Sequence, residues 1–387
     1  MDVCAEVFSA HRFAGANGCT EHSITIEASP ELSLPRQIDS IEQRYAEALQ
    51  SLSLPPDSAI FRRIYLSDAA NQAALLRTSP LFAEPMDSPV AVAMVQQPPL
   101  PDAKLALFAY HLESPDPISK KQLSPEHLLV EKNGLGHLWS TRMCAGRADA
   151  PTSTAEQTTE LFDRLVTTLS ANDASLADNC VRTWLYVKDV DYFYQEMVAA
   201  RTALFARHGL DRDTHYIAST GIEGSCSHRY DTVLMDAYSI LGLCPEQISY
   251  LNDFERLCAT KDYNVTFERG TRIGYADRAH HFISGTASID TAGAVVHPGD
   301  VVGQLAHTLD NIDALLRSGG GSIDDMTHFL VYLRDPSDFA AIDARLRERF
   351  AHIPRLVLRG AVCRPEWLIE IEGIAITAQH QPQLPNF

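Results

Sequence analysis

The sequence predicts an α/β (α+β) protein built from three copies of one unit, each a mixed β-sheet with helices packed on one face. Three observations predict it. Strand-like segments at 61–68 (FRRIYLSD), 181–189 (VRTWLYVKD) and 327–335 (THFLVYLRD) share a tyrosine and a terminal aspartate, at Tyr65 and Asp68, Tyr186 and Asp189, Tyr332 and Asp335. The second and third segments keep a constant offset of 146, from Tyr186 to Tyr332, Asp189 to Asp335, Phe193 to Phe339 and Arg201 to Arg347. Helical and strand-like stretches alternate along the chain, which favours mixed units over separate all-α and all-β domains.

The elements follow in one order in each copy. A helical pattern precedes each tyrosine strand, at 38–52, 157–169 and 302–316; in the third, Leu305, Leu309, Ile312, Leu315 and Leu316 recur at helical spacing. The aspartate that ends each strand suits a helix cap. A second helix follows, clearest at 339–350, and then two further strands that read as a hairpin, at 90–112, 215–241 and 355–378. The units so defined span 1–115, 125–242 and 262–387. The connectors at 113–125 and 242–262 are rich in Pro, Ser and Asp.

Composition limits the function classes. With 387 residues, 45% of them hydrophobic, the chain buries a large core in two or three folding units. A net charge of −18 and the lack of a basic track exclude nucleic acid and anionic membrane as main partners. Eight cysteines lie scattered without CxxC pairs, so a reducing, cytoplasmic setting is expected. The N-terminus has no basic segment before an apolar run, and no apolar run is long enough to span a bilayer. His280 and His281 have no ligand-like partner spacing, and the HPGD turn at 297–300 reads as a helix start. No metal and no cofactor is expected.

The stretch at 354–376, PRLVLRGAVCRPEWLIEIEGIAI, holds the most chemistry. Arg355 opens one strand, Cys363 sits at its end and Glu370 lies in the next. On one face of a hairpin, Arg355 would hold a substrate carboxylate bidentately while Glu370 acts as general acid or base. The sister copies carry Val90 and Leu105 in the first unit, and Leu234 with Asp236 beside it in the second. Only the third copy keeps both charges, so one working site per chain is expected. Arg182, Trp184 and Tyr186 share a face of their strand, a candidate second clamp and aromatic wall; a packed strand explains them equally well. Tyr216 and Gly221 lie in THYIASTGIEG at 214–224, where backbone amides near small hydroxyls would meet a carboxylate or form an ordinary turn. Cys363 taken alone is a small buried hydrophobe.

The third copy resembles the Rid family of enamine/imine deaminases, through HHFISGTASID (280–290), HPGDVVGQ (297–304), HFLVYLRD with Asp338 and Phe339, and the final two strands. Arg355 and Glu370 fall where that family has its carboxylate-binding Arg and its catalytic Glu. Rid proteins are homotrimers with sites between subunits, so the resemblance implies a trimer fused into one chain, a pseudo-trimer. Further pairing of chains into a homo-oligomer is compatible with it. A narrower resemblance is to chorismatases, long Rid-like chains with a Cys or smaller residue before an acidic catalyst, as in VCRPEWLIEIE (362–372). Cys363 and Glu370 match that pattern. Its Arg-x-Trp-Asn-Tyr strand reads Arg182-Thr183-Trp184-Leu185-Tyr186 here, with Leu185 in place of Asn.

This resemblance implies cleavage of the enolpyruvyl ether of chorismate to pyruvate plus a hydroxybenzoate or a dihydroxycyclohexadienoate. A cysteine at 363 favours the 3-hydroxybenzoate product. Two other readings stand beside it: Rid-type hydrolysis of an enamine or imine, and a non-catalytic sensor of small carboxylates. All three expect a small anionic carboxylate as partner.

Overall fold

A computed structural model of the chain describes residues 8–82, 88–146, 151–258 and 266–387. The first unit contains β1 (Ser9–Ala14), β2 (Thr20–Glu27), α1 (Leu34–Ser51), β3 (Ala59–Leu66), α2 (Ala69–Leu76), β4 (Ala91–Gln96) and β5 (Leu105–Glu113). The second has β6 (Ser119–Ser124), β7 (His127–Lys132), β8 (Leu135–Met143), α3 (Thr154–Ser170), α4 (Leu176–Asn179), β9 (Cys180–Val187), α5 (Val190–Arg207), β10 (Ala218–Glu223) and β11 (Val233–Leu241). The third has β12 (Ile248–Tyr250), β13 (Gly270–Gly274), β14 (Arg278–Thr286), α6 (Val301–Ser318), β15 (Met326–Leu333), α7 (Phe339–Phe350), β16 (Arg355–Arg359) and β17 (Ile369–Ala378). The three sheets run β1-β2-β5-β3-β4, β10-β9-β11-β8-β7-β6 and β12-β13-β14-β17-β15-β16.

The tyrosine strands β3, β9 and β15 are the repeated centre of each sheet. Asp68 and Asp335 accept from the backbone N–H groups of Asn71 and Ser337, as helix caps do, whereas Asp189 turns the chain at φ 46° without a side-chain cap. Apolar faces of the helices then pack on one side of each sheet. Ile38, Ile41 and Tyr45 of α1, Leu161 and Leu165 of α3, and Leu305, Leu309 and Ile312 of α6 are all buried there. Asp300 caps α6 through the N–H of Gly303.

One expectation fails in all three copies: the last two strands of each unit are not hairpins. The strand after the crossover helix pairs parallel to the tyrosine strand (β3 with β4, β9 with β10, β15 with β16). The final strand pairs antiparallel on the other side (β5, β11, β17). A helix between two strands carries the chain back to the starting end, so the next strand must run parallel; the final strand then pairs along the other side of the tyrosine strand, in the interior of the sheet. Arg355 and Glu370 therefore lie on strands separated by β15.

The helix-free sheet faces of the three units turn inward and meet. Phe61, Trp139, Tyr238, Phe282 and Leu330 belong to one buried cluster that spans all three units. Tyr65, Tyr186 and Tyr332, the repeated tyrosines, are fully buried there. Each contact between units also carries a buried Arg–carboxylate pair. Arg63 binds Asp236 at 3.0 Å between units one and two, and Arg278 binds Glu21 at 2.7 Å between units three and one. Between units two and three, Arg182 binds Glu372. Removing one member would leave an uncompensated buried charge at a cost of about 3–5 kcal/mol, so these pairs enforce which faces meet. Among the described residues, no helix is long and apolar enough to cross a membrane.

Candidate active site

Strand register fixes which residues of the three copies correspond. Opposite Tyr332, Tyr186 and Tyr65 stand Glu370, Leu234 and Ala106. Three residues before each tyrosine, on the parallel partner, stand Arg355, Ser219 and Val92. The first-unit counterparts are thus Ala106 and Val92, not Leu105 and Val90. A sequence match without register slips by one or two residues, and each slip changes the face or the neighbour.

Glu370 projects from β17 into a cavity of about 170 Å³ between the second and third units. From the second unit, α5 contributes Tyr194, Gln195 and Arg201, and β10 contributes Ser219 and Gly221. From the third come Arg269, Gly285 near the end of β14, and Cys363, Arg364 and Trp367 from the connection between β16 and β17. The wall is held by cross-unit bonds. Ser219 N–H donates to Ser284 Oγ at 2.9 Å, Gly285 N–H donates to Thr220 Oγ1 at 2.8 Å, and Ala361 N–H donates to Glu223 Oε2 at 3.0 Å. An Arg334–Asp191 ion pair at 2.9 Å adds to them.

Glu370 is 5% exposed, and its Oε1 has no hydrogen-bond partner among the described residues. Burial raises its pKa to about 8, and the adjacent Glu372 pushes the same way; Arg182 and Arg269 pull it down less strongly. Glu372 lies two residues on, in a different setting. Its carboxylate accepts from Trp184 Nε1 at 3.1 Å, from Tyr332 OH at 2.6 Å, and from Thr220 and Arg182. Two neighbouring carboxyl groups on one strand face thus meet opposite surroundings, one saturated with donors and one left bare. A Cβ on Gly285 would collide with the Glu370 carboxyl, so a glycine there lets the acid lie flat against β14.

Three guanidinium groups border the cavity. Arg201 is fully buried, its pKa lowered by burial; its Nε donates to Thr266 Oγ1 at 3.1 Å, and its Nη2 has no partner among the described residues. Arg269 donates from Nη2 to the Cys258 carbonyl at 3.3 Å, and Arg364 donates to the Gly293 carbonyl at 3.0 Å while covering Trp367. Cys363 has its thiol in the wall against the Tyr194 hydroxyl. Burial pushes the thiol up to about 12, so it remains protonated at neutral pH.

The other residues singled out from sequence lie elsewhere or act differently. Arg355 donates to Asp343 Oδ1 at 3.2 Å and faces Glu27 of the first unit, outside the Glu370 cavity. At the Glu370 cavity its counterpart is Ser219. Arg182 and Tyr186 are buried along the central axis, Arg182 engaged by Glu372 and Tyr186 in the field of Arg63. Tyr216 stacks on Phe205 at 6.4 Å and does not line the cavity. Gly221 does line it, but as space: a Cβ there would come within 2.8 Å of the Tyr194 ring. The sequence gives no sign of Arg201 and Arg269 as site residues. Arg201 sits on a helix whose apolar spacing gives no sign of a buried cation. In the sequence it stands out only as one of the positions at the 146-residue offset.

Comparison with known proteins agrees with this architecture. Residues 274–377 match the family model described as Endoribonuclease L-PSP. Over 96 residues the chain is 34% identical to the 3-aminoacrylate deaminase RutC of Acinetobacter baylyi, covering 76% of that protein and 24% of this one. The chain belongs to the Rid superfamily. The Rid unit recognised by sequence is thus the third, the one bearing Glu370. Most of the chain is also similar to a solved chorismatase structure, with a TM-score of 0.62, 18% identity, and coverage of 82% of this chain and 93% of that one. At that identity the likeness establishes a shared fold, three Rid units in one polypeptide.

Proposed function

We propose that the protein is a chorismatase-like enzyme that cleaves the enolpyruvyl ether of chorismate, with Glu370 as the general acid. One observation carries the reading: a buried carboxyl group, neutral at pH 7, whose bare oxygen faces a cavity bordered by arginines. An acid with a pKa near the working pH both holds its proton and gives it up efficiently. Arg201 and Arg269 supply charge-assisted hydrogen bonds for the two substrate carboxylates.

The steps balance without a cofactor. Glu370 donates its proton to the enolpyruvyl methylene carbon, leaving an oxocarbenium ion at the ether carbon. Water adding there gives a hemiketal whose bond to the ether oxygen breaks. The ring hydroxyl adding there gives a cyclic ketal, from which the bond to the ether oxygen and the ring-carbon bond to the former hydroxyl oxygen both break. In either case the proton of the adding O–H returns to the Glu370 carboxylate and pyruvate leaves. Capture by water gives pyruvate and a dihydroxycyclohexadienoate. Capture by the ring hydroxyl, with loss of a ring proton, gives pyruvate and 3-hydroxybenzoate. A cysteine that remains a thiol cannot serve as a nucleophile at pH 7. Cys363 instead shapes the wall beside the ring, which bears on the partition between the two outcomes.

The match to a deaminase keeps Rid-type hydrolysis as the second reading. Against it stands the position of Arg355, turned to another unit boundary, with Ser219 in its place at the Glu370 cavity. The family description names an endoribonuclease, but a net charge of −18 opposes binding of RNA. Incubation with chorismate, following pyruvate and aromatic products, beside an assay of 2-iminopropionate hydrolysis, tests the proposal. Pyruvate from chorismate, abolished by Glu370→Gln and with a product ratio altered by Cys363→Ala, is expected. Turnover of the imine alone would replace it with the Rid reading, and turnover of neither would favour a carboxylate sensor.

A further inference from the structure

The loop between β10 and β11 carries a cluster that the Glu370 chemistry does not use. Cys226, His228 and Asp231 lie on it, and Cys144 follows β8 alongside. One ligand atom each from Cys144, His228 and Asp231 lie within 4.8 Å of one another. His228 Nδ1 is 3.4 Å from Asp231 Oδ2, and Cys226 Sγ is 3.6 Å from the same oxygen. A tetrahedral zinc site, with metal–sulfur bonds of about 2.3 Å and metal–nitrogen or –oxygen bonds of about 2.0–2.1 Å, has N-to-O edges of about 3.4 Å and S-to-O edges of about 3.6 Å. Two edges of the cluster, His228 Nδ1 to Asp231 Oδ2 and Cys226 Sγ to Asp231 Oδ2, have those lengths.

A second observation points the same way. The Asp231 side chain is 1% exposed, yet its Oδ1 has no hydrogen-bond partner among the described residues. A buried carboxylate oxygen left bare is costly, and a cation is the partner such a group lacks. Oδ2, the oxygen that faces His228 and Cys226, also accepts from Gly146 N–H at 2.9 Å, which fixes the carboxylate's orientation at the cluster. His228 is 39% exposed, which leaves a path for an ion from solvent.

We propose that Cys144, Cys226, His228 and Asp231 bind a structural zinc ion. Two thiolates, an imidazole and a carboxylate form a closed four-ligand set of borderline softness, which suits zinc better than magnesium or calcium. Cys144, His228 and Asp231 stand within reach of one ion, and Cys226, 3.6 Å from Asp231 Oδ2, closes the fourth position by turning its side chain, so the ion holds structure rather than offering an open site for chemistry. It fastens the loop that leaves β10, two residues after Gly221 and beside Glu223, to the end of β8. Sequence spacing conceals the set because Cys144 lies 82 residues before Cys226.

The test is metal analysis of the purified full chain grown with zinc, followed by chelation and titration with Co²⁺. One zinc per chain is expected, replaced by Co²⁺ with thiolate-to-metal charge-transfer absorption and tetrahedral d–d bands. Loss of the ion should lower the midpoint of thermal unfolding, and Cys144→Ser with Cys226→Ser should remove both zinc and the charge-transfer band. Asp231→Asn should weaken zinc retention against a chelator by at least tenfold. Should the double variant fail to fold, the cobalt spectrum of the chelated wild-type chain decides alone. Wild-type protein without zinc, cobalt binding without thiolate bands, or a Cys144–Cys226 disulfide in metal-free protein purified without oxidant would each overturn the proposal.

Discussion

Substituting Glu370 by Gln separates the burial of this acid from its chemistry. An ordinary glutamate titrates at 4.5, and burial raises Glu370 to about 8. A raised folded-state pKa gives stability that is whole below 4.5 and is lost as pH climbs to about 8, because the unfolded chain ionises and the folded one does not. Each pH unit in that window costs about 1.4 kcal/mol. At pH 7 the cost is about 3 kcal/mol, and at pH 5 it is under about 1 kcal/mol. Gln has the shape of the neutral acid and no proton to keep. Glu370→Gln should therefore abolish turnover while raising stability, with the gain growing from pH 5 to pH 7. The assay is thermal or denaturant unfolding of both proteins across pH 5 to 8, with circular dichroism as the probe. An equal difference at pH 5 and pH 7, or destabilisation that grows with pH, would refute the account of Glu370 as a buried neutral acid.

Further outcomes follow from the same geometry. Wild-type kcat/KM should fall on the alkaline side with a midpoint near the Glu370 value of about 8, since only the protonated form donates; an unchanged rate to pH 9.5 would exclude it as the acid. Arg201→Leu should raise KM about ten- to hundredfold by removing a charge-assisted contact, measured in steady state. Arg355→Ala should leave kcat/KM within about twofold and cost about 1 kcal/mol of stability through the lost Asp343 pair, checked by turnover and unfolding together. Gly285→Ala should lower kcat about a hundredfold with little change in fold, because the new Cβ must displace the Glu370 carboxyl.

Much of the fold was readable in the sequence. The helix at 339–350 has the bounds that its pattern gave, and the repeated tyrosine strands stand where they were expected. The chemistry of Glu370 was readable in part, since a carboxylate pair, Glu370 and Glu372, in a strand of isoleucines stands out in a way the sister residues Ala106 and Leu234 do not. Its partners were not readable. Arg355 and Arg182 carry the same charge in sequence as Arg201, but one faces Asp343, one is matched by Glu372, and only Arg201 meets the cavity. The opening strands of the second and third units are not legible either: β6 and β12 lie inside stretches read as connectors, and in β6 Ser, Lys and Gln give no strand alternation.

The sequence by itself determined the local elements, the threefold repetition and the acids of the last strand, because helix periodicity, strand alternation and internal homology act within one copy. The tertiary structure decided which residues share a site. Strand order within a sheet comes from the handed crossover, which puts β15 between Arg355 and Glu370. The neighbour of each sheet comes from the buried ion pairs that join one unit to the next. Both are contacts across large sequence separations, and alternation along a strand says which face a side chain takes but never which unit that face will meet.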